Sequence, residues 1–173
     1  SEVSDSVFVL VNPLPVVDLG NDTAICAGSE KVLDAGNTNS TYLWNTGEIT
    51  KVITANSSAD YGVQVTNEFS CQATDSMILT VHAIPNVDLG NDTAICTGAT
   101  VELNAANPGF SYTWNTGANS KNITVNATGV YGVQVNNSIG CLGSDSLRVT
   151  VQELPVVLLG SDTSICQGES LLL

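Results

Sequence analysis

Apolar and polar residues alternate along this chain in runs of roughly four to six, the period of a half-buried β-strand and not of a helix. Tyr42 and Trp44 share one face of the run Thr41–Trp44, and Tyr61, Val63 and Val65 share one face of the run Tyr61–Val65. The pattern predicts a first strand split by a kink, Val16–Leu19 and Thr23–Cys26, followed by strands over Lys31–Ala35, Thr41–Trp44, Ile49–Thr54, Tyr61–Val65 and Ser76–Val81. Between them stand Ala27-Gly28-Ser29, Gly36-Asn37, Asn45-Thr46-Gly47 and Asn56-Ser57-Ser58. These are turn residues, which accept left-handed backbone or fold a side chain back onto it. About seven short strands with turns at this spacing predict a small β-sandwich. Its expected core is Trp44 with Tyr42, Leu33, Ile53, Tyr61, Val63 and Val65. The competing unit, a propeller blade, has four strands in about 45 residues.

The pattern then repeats. Leu14 to Cys26 returns as Ile84 to Cys96 and, altered, as Leu154 to Cys166, each time 70 residues on. Residues 13–82 and 83–152 align without a gap and match at 35 of 70 positions. They are predicted to be two copies of one folding unit, the second built around Trp114. By the same register, residues 1–12 read as the last strand of a preceding repeat and 153–173 as the first strands of a following one. The chain therefore reads as a window on a longer tandem array. The two units are joined with almost no slack, and Pro15, Pro85 and Pro155 occupy equivalent joints. Proline fixes φ and stiffens an extended connection, so the expected shape is a rod.

Charge narrows the partners. Seventeen acidic side chains against four basic ones give a net charge of −13. Nucleic acid and anionic membrane surfaces are held mainly by Lys and Arg, so neither is an expected partner. No apolar run approaches the roughly 18 residues that span a bilayer, so no membrane insertion is expected.

Five cysteines occupy two repeat positions: Cys26, Cys96 and Cys166 end the split first strand, and Cys71 and Cys141 precede the last strand. With a single histidine and no Cys-x-x-Cys, zinc is not indicated. Disulfides and an oxidising compartment are. Two pairings stand open. One lies within each unit, Cys26–Cys71 and Cys96–Cys141. The other joins neighbouring units, Cys26–Cys141, with Cys71, Cys96 and Cys166 bonding beyond this stretch. The first asks a disulfide, which needs Cα atoms within about 7 Å, to connect opposite poles of a sandwich roughly 20 Å apart.

Trp44-Asn45-Thr46-Gly47, Ala59-Asp60-Tyr61-Gly62-Val63-Gln64-Val65 and the paired Cys26-Ala27-Gly28 and Cys71 resemble the PKD-like and immunoglobulin-like repeats of giant secreted Bacteroidota proteins. These include gliding-motility adhesins exported by the type IX secretion system. The resemblance spans the whole chain. It implies an all-β fold of tandem immunoglobulin-like (PKD-like) sandwiches arranged end to end, displayed outside the cell in adhesion or filament building.

Asp18, Asn21 and Asp22 recur as Asp88, Asn91 and Asp92. Oxygen ligands grouped near a joint are a calcium donor set. The alternative is that they shape the kink through Asx turns, and Leu158 and Ser161 in the third copy speak against an obligatory metal. No other cofactor is expected. Ser6, Thr23, Ser76, Thr93 and Ser146 each follow Asp, a pattern similar to the O-glycosylation acceptors of Bacteroidota secreted proteins. The plainer reading is that Asp followed by Ser or Thr starts a strand after a turn.

Catalysis needs an acid, base or nucleophile held in a tuned constellation, and none recurs here. His82 aligns with Gln152, Asp34 with Asn104, and Asp60 with Val130. The expected function is a structural stalk or filament segment of a large secreted surface adhesin, bearing tension and projecting a binding tip. Its expected partners are neighbouring repeats, and surface polysaccharide or other cells through that tip. The alternatives are a carbohydrate-binding or spacer array on a secreted hydrolase, and a self-assembling extracellular sheath.

Overall fold

The alternating pattern resolves into six strands per repeat. The computed structural model describes residues 4–158 and 160–172. The first repeat holds β1 (Thr23–Cys26), β2 (Lys31–Asp34), β3 (Thr41–Trp44), β4 (Val52–Ala55), β5 (Ala59–Thr66) and β6 (Gln72–His82). The second holds β7 (Thr93–Cys96), β8 (Val101–Asn104), β9 (Ser111–Trp114), β10 (Asn122–Val125), β11 (Gly129–Asn136) and β12 (Leu142–Gln152). In each, a four-stranded sheet faces a two-stranded one: β1-β6-β5-β3 against β2-β4, and β7-β12-β11-β9 against β8-β10. β5 and β6 form a long antiparallel hairpin. β1 runs parallel to β6, with Thr23 opposite Leu79 and Cys26 opposite His82. The chain is a tandem of immunoglobulin-like β-sandwiches.

Period-2 alternation sends one row of each strand inward, and two separate cores result. Trp44 sits at the centre of the first with Leu33, Ile53, Tyr61, Val63 and Val65, as the sequence predicts, and Tyr42 packs against it partly buried. Trp114 takes the same place in the second with Leu103, Val133 and Val135. Each buried indole also satisfies its N–H, Trp44 donating to Thr50 O and Trp114 to Ser120 O, both at 2.8 Å.

Three expectations about strands are corrected. Val16–Leu19 is extended but joins no ladder. The neighbour it lacks is supplied by a side chain: Asn37 accepts from Val16 N–H at 3.1 Å and donates to Val16 O at 2.8 Å. Asn37 holds φ at 53° to do so, and Asn107 (φ 49°) donates to Asn86 O in the second repeat. The predicted strand Ile49–Thr54 begins only at Val52, because residues 45–51 turn around the indole through Gly47 N–H to Trp44 O and Trp44 N–H to Glu48 O. Ile49 is left exposed. The last strand, in contrast, starts four residues before Ser76, and its residues Gln72–Leu79 pair with β5 along the whole length of β5.

Residues 4–12 and the described part of 153–172 form no strand and meet no partner strand. Residues 1–3, 159 and 173, which belong to the expected strands of the flanking repeats, lie outside the described residues. No helix long and apolar enough to cross a membrane occurs among the described residues.

Candidate functional site

Of the candidate residues, Cys26 and Cys141 are brought together where the two sandwiches meet. The tip of the β11–β12 hairpin is wired by one side chain. Asn137 Oδ1 accepts from the N–H groups of Ile139 and Cys141, at 3.0 and 2.9 Å. Its Nδ2 donates to Ala83 O, on the segment arriving from the first repeat, at 3.3 Å. Gly140, at φ 95°, closes the turn with its N–H to Asn137 O. Two residues past the cysteine, Gly143 lies so near the arriving segment that a Cβ there would stand 2.1 Å from Pro85 O. Pro85 is buried in that contact.

The hairpin tip thus holds Cys141 against the far end of the first sandwich, where β1 ends at Cys26. The two are joined by a disulfide with Cα atoms 5.5 Å apart, 115 residues apart in sequence. Of the two pairings the sequence leaves open, this is the one between repeats. Cys26–Cys71 does not form, for a reason β6 makes plain: Cys71 precedes its first residue and Cys26 lies opposite its last, His82. Eleven residues of strand separate the two by roughly 35 Å. Cys141 is 1% exposed. Cys71, Cys96 and Cys166 carry free thiols in this chain.

The acidic cluster at the kink has a use that sequence reasoning missed. Asp22 Oδ1 accepts from Ile78 N–H at 2.8 Å, and Asp75 Oδ2 accepts from Leu19 N–H at 2.7 Å. The two carboxylates clamp the first strand to β6 reciprocally, on either side of the kink. Asp92 with Arg148 N–H and Asp145 with Leu89 N–H repeat the clamp. Asp18 and Asp88 close Asx turns onto Gly20 and Gly90. Asn21 and Asn91 stand exposed at the kink. The only sequence sign of the clamp is a pair of Asp residues 53 apart, each followed by a hydroxyl residue, Asp22-Thr23 and Asp75-Ser76, indistinguishable beforehand from strand starts.

Ser6, Ser76 and Ser146 are exposed, and Thr23 and Thr93 are half-buried in β1 and β7. Ser76 and Ser146 face outward opposite Gly62 and Gly132. There each lines a shallow open groove of about 650 and 600 Å³ respectively, with Asn45, Gln64 and Thr74 in the first copy. The Asn45 amide is already engaged with Asp60 O and Gly62 N–H. The Trp beneath each groove is buried. Glu48 has its carboxyl held below the usual range by a hydrogen bond from Thr46 and then by its own backbone N–H. It is fully exposed, and its counterpart is Ala118.

No family model matches the chain, and no curated protein matches it. Among solved structures it is similar to the IG1+IG2 domains of DIP-gamma at 13% identity and TM-score 0.43, covering 76% of this chain and 93% of that one. The I-band fragment I67–I69 of titin gives 14% and 0.45, covering 83% and 67%. The insect immune protein hemolin gives 16% and 0.47, covering 80% of this chain and 47% of hemolin. At these scores the likenesses say nothing of what this chain binds.

Proposed function

We propose that this chain is a stretch of an extracellular stalk, a load-bearing spacer in a large secreted surface adhesin of the Bacteroidota gliding-motility type, exported by type IX secretion. The observation that carries the reading is the Cys26–Cys141 bridge across the joint. A chain of independent domains needs no covalent tie between them. A stalk that must hold its direction does, and disulfides belong to oxidising, extracellular settings. Residues of the binding tip lie elsewhere in such a protein, and polysaccharide or another cell is its target. Glycans on Ser76 and Ser146, which face solvent, fit that setting; intact mass of the native protein tests them.

Negative-stain microscopy of single chains tests the stalk. The oxidised chain is expected as a two-lobed particle with a narrow spread of angles between lobes, and Cys141→Ser as one with a broad spread. Equal spreads would remove the stalk reading. The twin polar grooves favour a second reading, a carbohydrate-binding array. Against it, both Trp rings are buried under the sheet and offer sugars no platform. Glycan-array binding lost on Gln64→Ala and Gln134→Ala would establish it.

A further inference from the structure

We infer that the two open poles of this chain, at Asn67–Cys71 and at Cys96, are half-joints, each shaped to take another copy of this repeat and to close on it through a disulfide 115 residues long in sequence. The bonded joint supplies the template for both halves.

Consider the pole at Cys71. Asn67 Oδ1 accepts from Phe69 and Cys71 N–H, both at 3.0 Å, and Asn67 Nδ2 donates to Pro13 O at 2.9 Å. These are the bonds Asn137 makes to Ile139, Cys141 and Ala83. Pro15 is buried as Pro85 is, and Asn12 O lies 4.0 Å from Cys71 Sγ. The arriving segment is therefore already laid in place, and the thiol waits beside it. The pole at Cys96 copies the other half. Cys96 faces Gln152 as Cys26 faces His82. Thr97 N–H donates to Gln152 O as Ala27 N–H does to His82 O.

Exposure differs in the way an absent neighbour requires. Cys141 is fully buried while Cys71 is half-buried, and Cys26 is half-buried while Cys96 is exposed. The occupant is another copy of the repeat because the only group this structure bonds to a thiol in the Cys71 position is one in the Cys26 position. The extended strand contacts all lie within one sandwich, so the bridge and the short linker, not a broad interface, hold neighbours together. Closure is ordinary thiol–disulfide exchange. The Cys141-type thiolate attacks glutathione disulfide and expels one glutathione thiolate. The Cys96-type thiolate then attacks the mixed disulfide and expels the second, and each departing thiolate takes up one thiol proton.

The inference rests on the joint and not on the stalk reading, and its test is separate from microscopy. Residues 83–152 are duplicated in register within the full chain, with Leu142→Val in the second copy to mark its Cys141 peptide by mass. The protein is refolded with reduced and oxidised glutathione, alkylated, weighed and mapped without reduction. The expected product keeps the Cys26–Cys141 link, which reports a folded joint. It gains a link from Cys96 of the first copy to the marked Cys141, and retains the parent's three free thiols. A retained Cys26–Cys141 link with two more alkylated thiols than the parent, with glutathione left on Cys96, or with Cys96 joined to any other cysteine, would overturn it.

Discussion

At the scale of single residues, the two sandwiches are specified by a few positions whose polar atoms are all accounted for. Trp44 fills the centre of one core and donates its indole N–H. Trp44→Ala is expected to cost the first repeat about 3–5 kcal/mol. Urea unfolding of the reduced protein checks it. Trp114 fluorescence should keep its midpoint while circular dichroism shows an earlier transition. The clamp carboxylates are worth less. Asp75→Ala orphans the half-buried N–H of Leu19 and is expected to cost about 1–3 kcal/mol. Because each clamp carboxylate is spent on a backbone amide, EDTA is expected to leave the melting temperature of the native chain unchanged. A rise on adding calcium would show that Asp18 and Asp22 serve a metal instead.

At the scale of elements, the hairpin of β11 and β12 does two jobs: its middle rows build the core, and its tip builds the joint. The tip can be tested against itself. Asn137→Ala removes the side chain that fixes Cys141 and grips Ala83. A loss of about 1.4 kcal/mol in positioning lowers the equilibrium constant for closing Cys26–Cys141 about tenfold. The fraction oxidised in glutathione buffers measures this, and Asn67→Ala, at the pole without a neighbour, should leave it unchanged. The strand faces were legible in the sequence because period-2 alternation follows directly from burial, as Tyr61, Val63 and Val65 illustrate. Strand ends were not. Val16–Leu19 has the composition of a strand, but its neighbour is an Asn side chain 21 residues away, a contact no local pattern announces. Asp75, the fourth residue of β6, breaks the apolar pattern and reads as a strand start; its carboxylate accepts from a backbone amide, and the ladder extends back past it to Gln72. The choice between cysteine pairings was legible only through topology, since spacing alone admits both.

At the scale of the whole molecule, the net charge of −13 sets neighbouring sandwiches against one another, and a covalent tie offsets that repulsion where little packing does. The same tie decides what happens when the ends are pulled apart. Force arriving at Cys26 crosses directly to Cys141, so the 115-residue span between them is slack that tension never draws out. In single-molecule stretching, the reduced chain is expected to show two unfolding steps of roughly 200 Å each, at about 3.4 Å per freed residue. The oxidised chain should show neither; steps of that size in it would refute the bypass. Where the inferred bridges close along an array, the stretch from Cys141 to Cys166 is 25 residues. Fully drawn out, it reaches no more than about 90 Å, close to the roughly 75 Å that two sandwiches with strands of about 35 Å occupy at rest. Such a cable has almost no give. It lengthens only when a reductant opens its sulfur links, so its compliance is governed by redox chemistry and not by the stability of its folds.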